Sequence, residues 1–205
     1  MRTYGDRCGI ARALDVVGER WSLLVVRELL LGPKRFTDLR TGLPKISPDV
    51  LAQRLRELEE AGVLARATLP PPAASKVYEL TDRGRDLAPV LHALGRWGAA
   101  EPVADDVPMG ADALMVALPT TFAADRADGA EMEIGITVGP DQFVARVREG
   151  RLDVTRGAPA APDATIATDV PTLAAALWHG GALEDGTVTG DRRALERFLG
   201  LFAIG

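Results

Sequence analysis

At 205 residues, 47% of them hydrophobic, the chain is long enough for one large domain or two small ones, each with a packed core. Its single cysteine, Cys8, excludes an intrachain disulfide and a multi-cysteine zinc site, and the two histidines, His92 and His179, stand too far apart for a local ligand pair, so neither metal nor cofactor is expected. The net charge of -5 is unevenly spread: residues 1–100 carry 16 Lys+Arg against 12 Asp+Glu, a net +4, whereas residues 101–205 carry 8 against 17, a net -9.

A polyanion would be drawn to the first half and repelled by the second, so any nucleic-acid contact belongs to the N-terminal part. The opening "MRTYGDRCGI" has no apolar h-region and apolar runs are short throughout, which predicts a cytoplasmic protein without membrane association.

Taken in chain order, "GIARALDVVG" sets Ile10, Ala13, Leu14 and Val17 at helical spacing, and "RWSLLVVRELLLG" repeats the pattern with Trp21, Leu24, Val25 and Leu29 before Gly32. A short third segment, "RFTDLRTGL", ends against Pro44. In "ISPDVLAQRLRELEEAGVL", Ser47 is a good N-cap, Pro48 occupies the favoured first helical position and Gly62 closes the helix. Two strand-like runs, "VLARATL" and "KVYELT", flank a proline-stiffened tip and make a hairpin. One last helix, "DRGRDLAPVLHALGRWG", completes the unit.

Three helices followed by a hairpin are the layout of a winged helix-turn-helix. In the Ser47-capped helix, Leu51, Leu55 and Leu58 form the inward stripe, with Asp49, Gln53 and Arg56 opposite. Helix-turn-helix proteins insert the N-terminal part of this element into the major groove, where glutamine pairs with adenine and arginine with guanine or phosphate. Gln53 and Arg56 are the preferred readers, joined by Pro48 and Asp49 at the helix start. Ser47, Lys45 and Lys76 are candidate phosphate contacts. Arg54 lies about 60° from the leucine stripe by helical geometry, so it is either a DNA contact or an intraprotein ion-pairing residue.

The run "ALDVVG-x-RWSLLVVRELL-x-GP-x-RF-x-DL", continued by "IS-x-x-VL-x-QRLRELE-x-x-GVL" and "Y-x-LT-x-x-G", resembles the HxlR family of bacterial, MarR-like transcription regulators over residues 8–98. The resemblance implies a DNA-binding homodimer whose interface is built by the first helix and the helix after the wing, making Leu14, Leu87, Leu91, Leu94 and Trp97 interface candidates. It also places Cys8 where some members carry a redox-sensing cysteine. With no second cysteine, such sensing needs an intersubunit disulfide or a small thiol; the alternative is a structural cysteine. Asp49 departs from the family's usual basic or polar residue, and the wing "LPPPAASKV" lacks a common arginine.

The Ala-, Pro- and Asp-rich stretch at 101–109 reads as a linker between a DNA-binding and dimerisation domain at 1–100 and a second domain at 110–205. In the latter, "EMEIGITVG" alternates like a half-buried strand, "DQFVARVREGRLDVTRG" gives two strands around Glu149-Gly150, and "ATIAT" a fourth. Asp169 and Asp191 cap two further helices, so the fold class is α+β. The ending "ATIATDVPTLAAALWHGGALEDGTVTGDRRALERFLGLF" is similar to the sterol carrier protein 2-like fold. This implies a tunnel for an apolar small-molecule effector, lined by Phe143, Leu177, Trp178, Phe198 and Phe202; the alternative is that these side chains fill the core.

No phosphate loop, dinucleotide fingerprint or nucleophile elbow is present, so an enzyme is not expected. The rival to a regulator is a carrier of hydrophobic ligands with little affinity for DNA.

Overall fold

A computed structural model describes residues 3–99, 101, 108–183 and 187–202, and the chain divides into two compact units, Met1–Leu91 and His92–Gly205. Most of the expected linker, residues 102–107, lies outside the described residues.

The first unit contains α1 (Gly9–Val17), α2 (Ser22–Leu29), α3 (Phe36–Gly42), α4 (Pro48–Glu60), β1 (Leu64–Thr68), β2 (Lys76–Leu80) and α5 (Asp82–Arg85), and is followed by α6 (Ala88–Gly98). Its core is aliphatic: Val25, Val26, Leu29, Leu39, Leu51, Leu55, Leu58 and Leu64 are all buried. The leucine stripe predicted on α4 is therefore the inward face. Gly62, at φ +68°, turns the chain from that helix into β1, a backbone conformation open to glycine at little cost.

Local chemistry departs from the sequence reading in three places. Trp21 does not belong to the second helix; it precedes Ser22 with φ +82°, and its carbonyl accepts the Val25 N–H at 2.8 Å. A left-handed non-glycine residue costs roughly 1–2 kcal/mol, and the indole ring, packed on the core beneath Arg20 at 5.5 Å, holds it in place. The expected last helix is two helices, α5 and α6, because Pro89 has no N–H to continue the hydrogen-bond ladder and so sits in the first turn of a new helix. Finally, Lys34 and Tyr78 exchange two backbone hydrogen bonds, at 3.0 and 2.8 Å, adding a one-residue third strand to the wing.

The "LT-x-x-G" motif has a mechanical explanation. Thr81 caps α5 by accepting the Gly84 N–H at 3.2 Å and donates its hydroxyl to the Gly62 carbonyl at 2.7 Å. Gly84 lies so close to the Val63 carbonyl that a Cβ would collide with it. Threonine and glycine together dock the helix on the end of the wing.

In the second unit, α7 (Ala111–Thr121) and a 3-10 turn (Ala124–Ala127) lead into β3 (Met132–Val138), β4 (Asp141–Arg148), β5 (Arg151–Arg156), β6 (Ala164–Thr168), α8 (Val170–Trp178), β7 (Val188–Gly190) and α9 (Arg192–Leu199). The sheet order is β5-β4-β3-β6-β7, antiparallel except for the parallel pair β3 and β6. The turn at Glu149-Gly150 takes φ values of +51° and +69°, the left-handed pair that a two-residue hairpin demands. Asp169 accepts the Thr172 N–H at 2.8 Å as the cap of α8, and this bonding holds its carboxyl below the usual range.

α7 was not anticipated from the sequence. Its apolar residues go nearly all the way round and it contains Pro119, so no amphipathic stripe marks it; Leu114, Met115, Val116 and Leu118 are all buried. Asp112 in its first turn pairs with Arg156 of β5, which also reaches Asp141 and lies over the Phe143 ring at 4.7 Å. On α6, burial and then Arg96 hold His92 below the ordinary imidazole range, so it is neutral near pH 7.

Among the described residues no helix is long and apolar enough to cross a membrane, and no group of His, Cys, Asp and Glu is placed to hold a metal ion.

Candidate nucleic-acid interface

The sequence from α3 through α4 makes the helix-turn-helix, and the β1–β2 hairpin makes the wing. The turn between the helices is anchored by the buried side chains of Leu43 and Ile46, leaving Lys45 between them exposed. Ser47 then starts α4 by accepting the Val50 N–H at 3.3 Å, with its own hydroxyl proton available to a phosphate oxygen. Pro48 and Asp49 are exposed in the first turn.

The two predicted readers are joined to each other. Arg56 donates to Gln53 Oε1 at 2.5 Å, and Gln53 Nε2 donates to Glu57 Oε1 at 2.6 Å, a chain along one helix face at i, i+3 and i+4 spacing. Arg56 is exposed and Gln53 half-buried. Both ends of the Gln53 amide are thus engaged within the helix. Arg54, by contrast, takes the ion-pairing alternative: its side chain is 13% exposed and pairs with Glu57 at 2.8 Å and Glu19 at 3.5 Å. Glu57 thus buttresses both faces of the helix.

On the wing, Lys76 is exposed at the start of β2, opposite Thr68. The tip is closed by the Leu69 N–H donating to the Ser75 carbonyl at 2.9 Å. Reading α4 alone overlooked cations on its neighbours. Arg35, at the N-cap of α3, and Arg40 within that helix are exposed, and Thr37, Arg40 and Thr41 line a shallow depression. Arg66 of β1, 59% exposed, pairs with Glu59 and lies over the Tyr78 ring. The signal was available: the first helix of a helix-turn-helix crosses the DNA backbone, so its exposed arginines are phosphate candidates.

These elements have counterparts in known proteins. A family model described as "HxlR-like helix-turn-helix" matches residues 16–104. The chain is 41% identical to YvaP of Bacillus subtilis, an uncharacterised HTH-type transcriptional regulator, over 42% of this chain and 80% of that one. To the HTH-type regulator YodB of the same organism it is 36% identical, over 42% of this chain and 76% of the relative. The chain belongs to the HxlR-like helix-turn-helix family. It is a transcriptional regulator of that type, and its matched segment spans the helix-turn-helix, the wing and α6. A solved structure described as the redox regulator HypR in its oxidized form is 32% identical, covering 47% of this chain and all of that one at a TM-score of 0.42.

Against the interface expected for an HxlR-type dimer, the candidate residues fall into two groups. Leu14 on α1 and Leu94 and Trp97 on α6 are exposed, at 43, 46 and 71%. Leu87 and Leu91 are half-buried and pack on the core of the first unit. Two apolar residues that were not among the interface candidates share these outer faces, Ile10 on α1 and Val90 on α6. Cys8 is exposed at the residue preceding α1, its N–H donating to Asp6 at 2.9 Å.

In the second unit, Phe143, Leu177, Phe198 and Phe202 are buried, and Trp178 is half-buried with its indole N–H donating to Thr121 Oγ1 at 3.0 Å. Phe198 and Phe202 pack edge to face at 4.9 Å, and Phe122 joins them at 6.1 Å from Phe202. Phe143 sits beneath Arg156 on the sheet.

Proposed function

We propose that this regulator binds a two-fold-symmetric operator as a homodimer, with α4 in the major groove, Gln53 and Arg56 reading bases, and Lys45, Ser47 and Lys76 holding phosphates. The carrying observation is the pair formed by exposed Arg56 and half-buried Gln53 on a helix whose opposite face, Leu51, Leu55 and Leu58, is buried in the core. Arg35 and Arg40 add positive charge where the backbone would pass. Footprinting on the promoter of the chain's own gene tests this: two protected half-sites about one helical turn apart are expected. Protection without symmetry would overturn the dimer.

The second unit is proposed as a sterol carrier protein 2-like sensor of an apolar small molecule. Its strand–helix order around Asp169 and Asp191 and its aromatic cluster support this, and the acidic character of its sequence keeps it off DNA. Native mass spectrometry of the fresh protein should show a bound apolar species that Trp178→Ala loses. A mass equal to that of the bare chain, with no fatty acid taken up on addition, would leave the unit a packed domain without a sensing role.

An exposed thiol at the residue preceding α1 supports a second reading in which Cys8 modulates DNA affinity. Loss of operator binding under diamide in the wild type, but not in Cys8→Ser, is the expected signature.

A further inference from the structure

Glu28 is a carboxylate buried in the first unit, 2% exposed, that the DNA-reading scheme above does not use. It lies in α2 and takes two cations, Arg27 at 2.7 Å from its own helix and Lys34 at 2.6 Å from the strand that bridges to the wing. Lys34 is tied in turn to Tyr78 of β2 by two backbone hydrogen bonds. On another side the carboxylate presses on the last residue of α3: a Cβ at Gly42 would overlap Glu28, which explains glycine there although its φ is not among the left-handed ones. From Gly42 the chain needs only the turn anchored by Leu43 and Ile46 to reach Ser47 and the start of α4.

One carboxylate thus touches both structures that would address DNA: the base of the wing through Lys34, and the turn into α4 through Gly42. Burying a carboxylate is expensive and is offset only by well-made partners. Removing one partner of such a pair leaves an uncompensated buried charge, so Glu28, Arg27 and Lys34 are held to one another. We infer that Glu28 is a positioning residue that sets the wing against the helix-turn-helix, so that half-site preference depends on a side chain that does not reach DNA. The inference rests on the DNA-binding reading for its consequence but not for its geometry.

The test has one arm without DNA. In the free full-length protein, Glu28→Gln should accelerate amide exchange at Lys34 and Tyr78 by about tenfold or more relative to Leu55 in the core, since these amides report local opening of the wing base. Lys34→Met, which removes the link from its other end, should do the same and serves if the glutamine variant folds poorly. Arg27→Ala removes a cation on α2 without touching the bridge, and should leave both amides within about twofold of wild type. In the second arm, the two link variants should lose about tenfold of the preference for the footprinted operator over random DNA, with random-DNA affinity falling much less, because every proposed phosphate-contacting side chain is retained. Equal acceleration in Arg27→Ala, unchanged exchange in both link variants, or full operator preference despite faster exchange would each overturn the positioning role. A wild-type protein with no sequence preference would instead overturn the DNA-binding reading, while the exchange arm still decides whether Glu28 holds the wing.

Discussion

Replacing Leu94 and Trp97 together by aspartate should convert the protein to a monomer and weaken operator binding on the order of a hundredfold or more, the loss expected when two linked half-site contacts become independent events. The residues are chosen for their exposure. Trp97 and Leu94 stand 71% and 46% exposed on α6, one turn apart and in line with Val90 at 51%, so charge there cannot disturb the first unit's core. Leu87 and Leu91 are poor probes, because both pack on that core and their loss would confound folding with association. Sedimentation velocity reads the result directly. An unchanged dimer would place the interface elsewhere, with Ile10 and Leu14 on α1 the next residues to change.

The second large effect belongs to the reading helix. Gln53→Ala and Arg56→Ala should each cost about 1–3 kcal/mol at the operator if each makes a bidentate base contact, and each should relax preference at one base pair per half-site. Because Arg56 donates to Gln53, which is itself held by Glu57, the two changes should not be additive: removing the arginine frees the glutamine oxygen and lets its amide turn. A coupling of about 0.5 kcal/mol or more in the double-mutant cycle is expected for residues in one network. Lys45→Ala and Lys76→Ala should instead weaken operator and random DNA alike. Wild-type affinity in all four variants, measured by gel shift, would remove α4 and the wing from the interface.

Much of the first unit was legible in its sequence because each signal there is local and strong. Ser47-Pro48 starts α4, the Leu51, Leu55 and Leu58 stripe faces the core, Gly62 ends the helix, and prolines mark the wing tip. Less legible were features decided by contacts between distant residues. The positive φ of Trp21 depends on the packing of its ring, and the Lys34–Tyr78 bridge joins residues far apart in the chain. Nothing in the helical pattern marks Glu28, because Lys34 and Gly42 reach it only in the fold. Arg54 was ambiguous for a related reason, since its angular position on the helix fits both solvent and a partner, and Glu19, between α1 and α2, reaches it only in the fold. In the second unit the strands followed from alternation and the Glu149-Gly150 turn. α7 escaped because a helix buried nearly all round has no polar face to give a period.

The central claim is that the basic first unit engages DNA through phosphates and reads it through α4. It is tested most directly by titrating the protein against its footprinted promoter fragment over a range of salt concentrations. Affinity should fall steeply and linearly in log–log form, with a slope reduced by about one in Lys45→Ala, while operator preference over random DNA persists wherever binding is measurable. A flat salt dependence, or equal affinity for operator and random DNA at every salt concentration, would contradict the account.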